Sequence, residues 1–164
     1  MKTLYLIRHA KSSWDNHDIS DYERELNPRG KKDAPLMAMI IKEKKIIPDL
    51  IISSPAVRAI TTAKIFAEEL NYPIEKIEPI EIIYEAGIRE LTDVIRSIDD
   101  VKTHVMIFGH NPGITTFSNL LGSEYISNMP TCSITGLELN INSWKEAERF
   151  CGKTLFFEYP KKGK

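Results

Sequence analysis

The sequence predicts an α/β fold: a three-layer sandwich with a mostly parallel central sheet, helices on both faces and an antiparallel edge strand. From residue 4 to residue 121, apolar runs typical of buried strands alternate with segments whose apolar residues recur at helical spacing. The rest of the chain holds two strand-like segments separated by a short helical piece, which favours antiparallel pairing at an edge. We expect a single domain over residues 1–164.

The predicted elements follow from apolar spacing and from turn residues. Asn27 before Pro28, and Ser54 before Pro55, each combine an N-cap residue with proline at the first helical position. The first of these helices should end before Pro48. Strands are predicted at residues 4–7, 49–53, 79–84, 104–108, 133–140 and 154–159. Further helices are predicted around residues 91–98, 112–121 and 144–150.

The composition narrows the class of protein. The 22 Lys and Arg residues balance 23 Asp and Glu residues, which gives no general reason to expect a nucleic acid or membrane partner. Apolar stretches are far shorter than the roughly 18 residues that a membrane span requires. The chain opens with a strand rather than a secretory leader, and its two cysteines form no CxxC motif. We therefore expect a cytoplasmic protein with reduced thiols. The closing residues 161–164 are expected to form a solvated tail.

Basic and histidine side chains follow three of the predicted strands. Arg8, His9 and Lys11 follow the first, Arg58 lies in the opening turn of the helix after the second, and His110 follows the run at 104–108. The carboxyl ends of parallel strands meet at one edge of a sheet, where ligands bind in open α/β folds. Arginine and helix N-termini both favour phosphate oxygens. The sequence therefore predicts a phosphoryl site at this edge.

A histidine in such a site can be more than a binding group. A neutral imidazole can attack phosphorus and hold the phosphoryl group covalently, provided that one ring nitrogen is unprotonated. We expect nearby arginines to lower the pKa of His9 and keep its ring neutral. Glu85, at the end of the predicted third strand, could supply a proton to the leaving group. Lys11, Ser12 and Asn111 are candidates for further substrate contacts.

The polar residues 12–27 form a long loop, and loops of this length are often functional. Asp21 and Arg24 are predicted to pair with each other and hold this loop over the site. Trp14 and Trp144 are predicted to be packing anchors rather than stacking platforms.

Two other classes of function remain possible. A metallohydrolase could use His9 and His110, but the chain has no HExxH motif, and flanking arginines would repel a cation. A non-catalytic phosphate-binding module would use the same side chains without turnover. We expect neither a metal nor another cofactor.

Several segments together resemble one family. Residues 6–10, Leu-Ile-Arg-His-Ala, resemble the Arg-His-Gly signature of the histidine phosphatase superfamily, which has the phosphoglycerate-mutase-like fold. With Lys11 and Ser12 they are similar to the small SixA-like phosphohistidine phosphatases. The resemblance continues at residues 21–30, 53–59, 109–113 and 129–133, and so covers nearly the whole chain.

The resemblance implies a role for each matching residue. The phosphorylated nucleophile falls on His9, and phosphate binding falls on Arg8, Arg58 and His110. Asn111 would add a contact, and Glu85 is the nearest match to the family's acidic proton donor.

The chain departs from the family pattern at two points. Ala10 replaces the signature glycine, so the backbone after His9 must accommodate a Cβ. We also expect the chain to be too short for the insertions that cover the site in sugar-phosphate members. An open site suits a protein substrate carrying phosphohistidine, with a small phosphoester as the alternative, and it suits a mutase poorly.

Overall fold

The computed structural model describes residues 1–161, so all but the first residue of the tail predicted at residues 161–164 lies outside the described part. A six-stranded sheet forms the middle layer, with strand order β3-β2-β4-β1-β5-β6. The strands are β1 Lys2–Arg8, β2 Leu50–Ser53, β3 Glu78–Pro79, β4 His104–Gly109, β5 Ile134–Leu139 and β6 Gly152–Glu158. The helices are α1 Pro28–Glu43, α2 Val57–Glu69, α3 Ile88–Arg96 and α4 Gly113–Leu121.

The sheet confirms the predicted mostly parallel arrangement with an antiparallel edge. Strand β1 pairs parallel with β4, and β2 pairs parallel with both β4 and β3. Strand β5 pairs antiparallel with β1, and β6 pairs antiparallel with β5. Strand β5 therefore runs against the other five strands, and both pairings at this end of the sheet are antiparallel.

Apolar side chains on the two faces of the sheet form two separate cores. On one face, Met37 of α1 and Phe66 of α2 belong to a buried cluster. On the other face, Leu91 of α3 and Phe117 of α4 belong to a second cluster. This is the predicted three-layer arrangement, and none of the helices within residues 1–161 is both long and apolar enough to cross a membrane.

The predicted helix starts are confirmed at α1 and shifted at α2. The side chain of Asn27 accepts a hydrogen bond from the Gly30 amide, as an N-cap does. Helix α2 begins only at Val57, and the Ser54 hydroxyl accepts instead from the Ala56 amide at 3.2 Å. Ser54 therefore closes the turn that leads into α2 rather than capping the helix.

Two predicted elements are wrong in extent. The strand predicted at residues 79–84 is limited to Glu78–Pro79, and a 3₁₀ turn follows at Glu81–Ile83. This turn buries Ile83 in the core, which a continued edge strand does not require. The helix predicted at residues 144–150 is a 3₁₀ turn over Trp144–Glu146.

The register of the strands brings the polar segments to one edge. Arg8 at the end of β1 lies opposite Gly109 at the end of β4, and Ser53 at the end of β2 lies opposite Phe108. The segment before β5 reaches the same edge, because the Cys132 amide donates to the carbonyls of Arg8 and His9 at 3.1 and 3.0 Å. Four segments of the chain thus meet there.

Candidate active site

A cavity of about 200 Å³ opens at this edge of the sheet. Its walls come from the ends of β1 and β4, the loop at residues 12–27, the first turn of α2 and the segment before β5. The residues that line it are Arg8, His9, Lys11, Ser12, Trp14, Arg24, Arg58, His110, Asn111 and Thr131. The structure therefore brings together seven of the eight predicted site residues.

His9 is held in one tautomer by the backbone. Its side chain lies in a buried position with Nδ1 2.7 Å from the carbonyl oxygen of Ala10. A carbonyl oxygen only accepts hydrogen bonds, so Nδ1 carries the ring proton and Nε2 keeps its lone pair. The pKa of His9 is lowered to about 3. Burial is the main cause, the Ala10 hydrogen bond opposes it, and the charges of His110, Arg58 and Arg8 contribute to the lowering. The expectation that arginines lower this pKa holds, but burial is the larger cause.

The alanine after His9 fits without strain. Ala10 is fully buried, and its backbone φ lies outside the left-handed region. Its amide donates to Thr62 Oγ1 at 3.0 Å, and the Thr62 hydroxyl donates to the carbonyl of Arg58 at 2.7 Å. Thr62 therefore joins the segment that carries His9 to the helix that carries Arg58.

Three residues that line the cavity each carry one buried nitrogen atom without a hydrogen-bond partner within residues 1–161. These atoms are Nε of Arg8, Nε of Arg58 and Nδ1 of His110. Buried polar groups are almost always hydrogen-bonded, and leaving one unsatisfied costs about 1–3 kcal/mol. Nitrogens of three different segments that line one cavity match an anion with several acceptor oxygens, such as a phosphoryl group.

Asp21 links the long loop to Arg58. Arg58 donates from Nη1 to the Asp21 carbonyl at 2.6 Å and from Nη2 to the Asp21 carboxylate at 3.0 Å. The same carboxylate accepts from Arg24 at 3.0 Å and from the Tyr84 hydroxyl at 2.6 Å. The predicted Asp21–Arg24 pair is confirmed, and it belongs to a larger network that also holds Arg58 and Tyr84.

This network keeps the Asp21 carboxylate ionised. The hydrogen bond from Tyr84 is the main cause that lowers the pKa of Asp21 to about 2, and contacts with Arg24 and Arg58 act in the same direction. Arg24 also donates to the Ser12 hydroxyl at 2.6 Å. One carboxylate thus orients two guanidinium groups at the cavity wall.

His110 stands beside His9 and is oriented by Ser54. The two imidazole centroids are 5.2 Å apart, and Nε2 of His110 lies 2.7 Å from the Ser54 hydroxyl oxygen. Burial is the main cause that lowers the pKa of His110 to about 4, with Arg58 adding to it. When the Ser54 hydroxyl donates to Nε2, Nδ1 carries the proton and can donate to a phosphoryl oxygen.

The three residues predicted to contact the substrate, Lys11, Ser12 and Asn111, differ in exposure and in their hydrogen-bond partners. Lys11 is exposed at the rim of the cavity, and Ser12 is buried in its wall. The Asn111 amide group donates to Asn128 Oδ1 and to the Met129 carbonyl, and its oxygen accepts from Thr115. Asn111 therefore tethers the segment before β5, and a substrate contact from it stays a prediction.

Glu85 does not line this cavity. It is exposed in an adjoining cleft of about 560 Å³, which shares Arg58, His110 and Asn111 with the cavity. Its predicted part as proton donor stays a prediction.

The prediction that both tryptophans are packing anchors is correct for Trp144 and wrong for Trp14. Trp144 is fully buried, and its indole N–H donates to the Lys102 carbonyl. Trp14 is 65% exposed, and its ring lies 3.5 Å from the guanidinium carbon of Arg24. The exposed indole ring of Trp14 stacks on Arg24 because one face of this guanidinium group is available at the rim of the cavity.

Sequence reasoning missed Tyr84, Thr62 and the part that Ser54 plays. Thr62 lies four residues after Arg58, and this helical spacing could have placed the two on one face of α2. Tyr84 carries no separate signal in the sequence, because its contact with Asp21 depends on how an irregular loop packs. Within residues 1–161 no group of three His, Cys, Asp or Glu side chains is arranged to hold a metal ion.

Comparison with known proteins identifies the family. The model of the histidine phosphatase superfamily (branch 1) matches residues 4–92. An uncharacterised chloroplastic protein of Arabidopsis thaliana is 31% identical over 160 residues, which cover 92% of this chain and 72% of the relative. The chain belongs to the histidine phosphatase superfamily.

Two further comparisons match proteins whose activities are assigned. A crystal structure from Agrobacterium tumefaciens, provisionally assigned as the phosphohistidine phosphatase SixA, has a TM-score of 0.82 and 26% identity, with 97% of this chain and 98% of that chain covered. Phosphoglycerate mutase 1 of Saccharomyces cerevisiae is 34% identical over 73 residues, only 43% of this chain and 30% of the mutase. These comparisons support phosphatase activity.

Proposed function

We propose that this protein is a metal-independent phosphatase that acts through a covalent phosphohistidine on His9. The observation that carries the proposal is that Arg8, Arg58 and His110, which line the same cavity as His9, each carry a buried nitrogen without a partner within residues 1–161. A phosphoryl group offers oxygens to all three while its phosphorus faces the imidazole.

In the first step, Nε2 of His9 attacks phosphorus. The Ala10 carbonyl accepts from Nδ1 and stabilises the positive charge that the ring acquires. The guanidinium groups of Arg8 and Arg58 neutralise the equatorial oxygens as charge redistributes in the transition state. The bond from phosphorus to the leaving atom breaks, and its electron pair goes to the leaving group, which takes up a proton.

In the second step, water attacks the phosphohistidine and releases inorganic phosphate, so that Nε2 recovers its lone pair. Glu85 is our candidate for supplying the leaving-group proton and for accepting one from the attacking water. Its place in the cleft next to Arg58 and His110 supports this part.

We propose protein phosphohistidine as the substrate and the cytoplasm as the site of action. The similarity in fold to the protein assigned as SixA, at 26% identity, supports this substrate. The free thiols Cys132 and Cys151 agree with a reducing compartment. A small phosphomonoester is the second candidate, because a 73-residue part of the chain also matches a phosphoglycerate mutase.

The test compares wild-type protein with His9→Ala, using para-nitrophenyl phosphate in excess chelator. We expect wild-type turnover in the chelator and none from the variant. Loss of wild-type activity in chelator would point to a metallohydrolase, and full activity of His9→Ala would exclude the phosphohistidine route. A wild-type protein that binds vanadate but turns over no phosphoryl compound would be a binding module. Rates on a phosphohistidine protein and on small esters then separate the two substrates.

A further inference from the structure

The cleft beside the phosphate cavity is placed to receive the part of the substrate that leaves. The cleft shares Arg58, His110 and Asn111 with the cavity, so a phosphoryl group bound between the histidines borders on it. Its volume of about 560 Å³ exceeds the roughly 200 Å³ of the cavity itself. Arg58, which lines both spaces, is almost completely buried, and its Nε has no partner within residues 1–161.

The cavity and the cleft differ in the sign of the charged side chains that line only one of them. The cationic side chains of Arg8, Lys11 and Arg24 line the cavity and not the cleft. The carboxylates of Asp21 and Glu85 line the cleft and not the cavity. Among the groups that line the cleft, only Arg58 is a cation, and it is already paired with Asp21.

Glu85 supplies the uncompensated charge of the cleft. The Asp21 carboxylate is neutralised by Arg24 and Arg58, whereas the Glu85 carboxylate has no ion pair or hydrogen bond within residues 1–161. The remaining walls of the cleft are neutral: Tyr84, Ala86, Gly87, Ile88, Pro112, Gly113 and Thr116. A second anionic group on the substrate would find no free cation there.

We propose that the cleft binds the leaving group and selects cationic or neutral leaving groups against anionic ones, with the Glu85 carboxylate as the specificity-determining charge. This inference rests on the proposed phosphoryl transfer to His9. It requires Glu85 to be ionised when the substrate binds, so it is an alternative to Glu85 as the donor of the leaving-group proton. The favoured class contains N-phosphoryl compounds whose nitrogen base departs in protonated form, together with uncharged aryl esters. Phosphoesters with a carboxylate or second phosphate on the leaving group are disfavoured.

The test uses phenyl phosphate and two para-substituted analogues, one with an aminomethyl group and one with a carboxylate. Their phenols are of similar size and acidity, so charge is the main difference. We expect kcat/KM of wild-type protein to be on the order of tenfold higher for the aminomethyl than for the carboxylate compound at low salt. The ratio should fall toward unity in Glu85→Gln and in high salt. Glu75→Gln, which removes an exposed carboxylate away from the cleft, should keep the wild-type ratio.

The ratio separates charge selection from proton donation. Loss of a proton donor slows all three substrates together and cancels in the ratio. Equal rates for the two charged analogues, or a ratio unchanged in Glu85→Gln, would overturn the inference while the phosphatase activity stands. Absence of wild-type hydrolysis for every compound, para-nitrophenyl phosphate included, would overturn the proposed function and this inference with it.

Discussion

Asp21 and Arg58 are joined by two contacts, one from the backbone carbonyl and one from the carboxylate of Asp21. These contacts occupy both terminal nitrogens of the guanidinium group, and Nε has no partner among residues 1–161. The loop at residues 12–27 is thereby fastened to the first turn of α2 at the cavity wall. Arg58 is held in place by the loop before any ligand arrives.

Asp21→Asn is expected to weaken phosphate binding and turnover, because two guanidinium groups lose their common carboxylate. Hydrogen bonds to charged groups contribute about 1.5–3 kcal/mol, which corresponds to roughly 10–100-fold in kcat/KM. Asp18→Asn changes an exposed aspartate of the same loop and should behave as wild type. Vanadate affinity, measured by inhibition, should fall in Asp21→Asn alone. Equal affinity in the two variants would show that Asp21 does not position Arg58.

Ser54→Ala is expected to lower kcat, because His110 loses the hydroxyl that orients Nε2. We expect a fall of about 10-fold or more, in line with the loss of one group that orients a transition-state donor. Ser53→Ala is the matched control, since Ser53 is equally buried but bonds to the Ser54 carbonyl instead of His110. If Ser54→Ala and Ser53→Ala lose the same fraction of kcat at equal folding stability, the Ser54 hydroxyl does not orient His110 for catalysis.

Arg58→Ala is expected to reduce the rate by about 10²–10³-fold, by analogy with loss of an oxyanion-hole donor. Arg58→Lys should recover only a small part, because lysine cannot reproduce both contacts with Asp21 and present a further N–H. Steady-state kinetics on an aryl phosphate measure the effect. A lysine variant with wild-type kcat would mean that Arg58 acts only through its charge.

Stability should fall as the pH drops, through the histidine that is buried in its neutral form. The pKa of His9 is about 3 in the folded protein and close to 6.5 in the unfolded chain, so between these values only the unfolded chain takes up the proton. This contribution is complete above pH 6.5 and decreases toward pH 3. It amounts to about 2 kcal/mol between pH 7 and pH 5.

Urea unfolding at the two pH values tests this linkage. Between pH 7 and pH 5, His9→Asn should lose about 2 kcal/mol less folding stability than wild type. His17→Asn, in the exposed part of the loop, should follow wild type. An equal loss in His9→Asn and wild type would contradict a neutral buried His9.

The sequence predicts the location of those residues whose positions are determined by the end of a strand. Arg8, His9 and His110 follow apolar runs whose ends are easily recognised, and parallel register then brings them together. Arg58 was placed correctly although α2 begins later than expected, because the proline turn still precedes it.

Features that depend on the packing of irregular segments could not be predicted. An apolar run such as residues 80–83 fits both an edge strand and a 3₁₀ turn, and only burial of Ile83 decides between them. The contact of Tyr84 with Asp21 joins residues 63 positions apart in two irregular segments. The spacing of apolar residues along the sequence gives no indication of such a contact.

Capture of the phosphorylated protein tests the central claim most directly. Wild-type protein is mixed with excess aryl phosphate, quenched within milliseconds in strong base, digested and mapped by mass spectrometry. We predict a phosphoryl group on His9 that is stable in base, labile in acid and absent from His9→Ala. Turnover in which the phosphoryl group is found on another residue, or in which His9→Ala still hydrolyses the ester, would contradict the account.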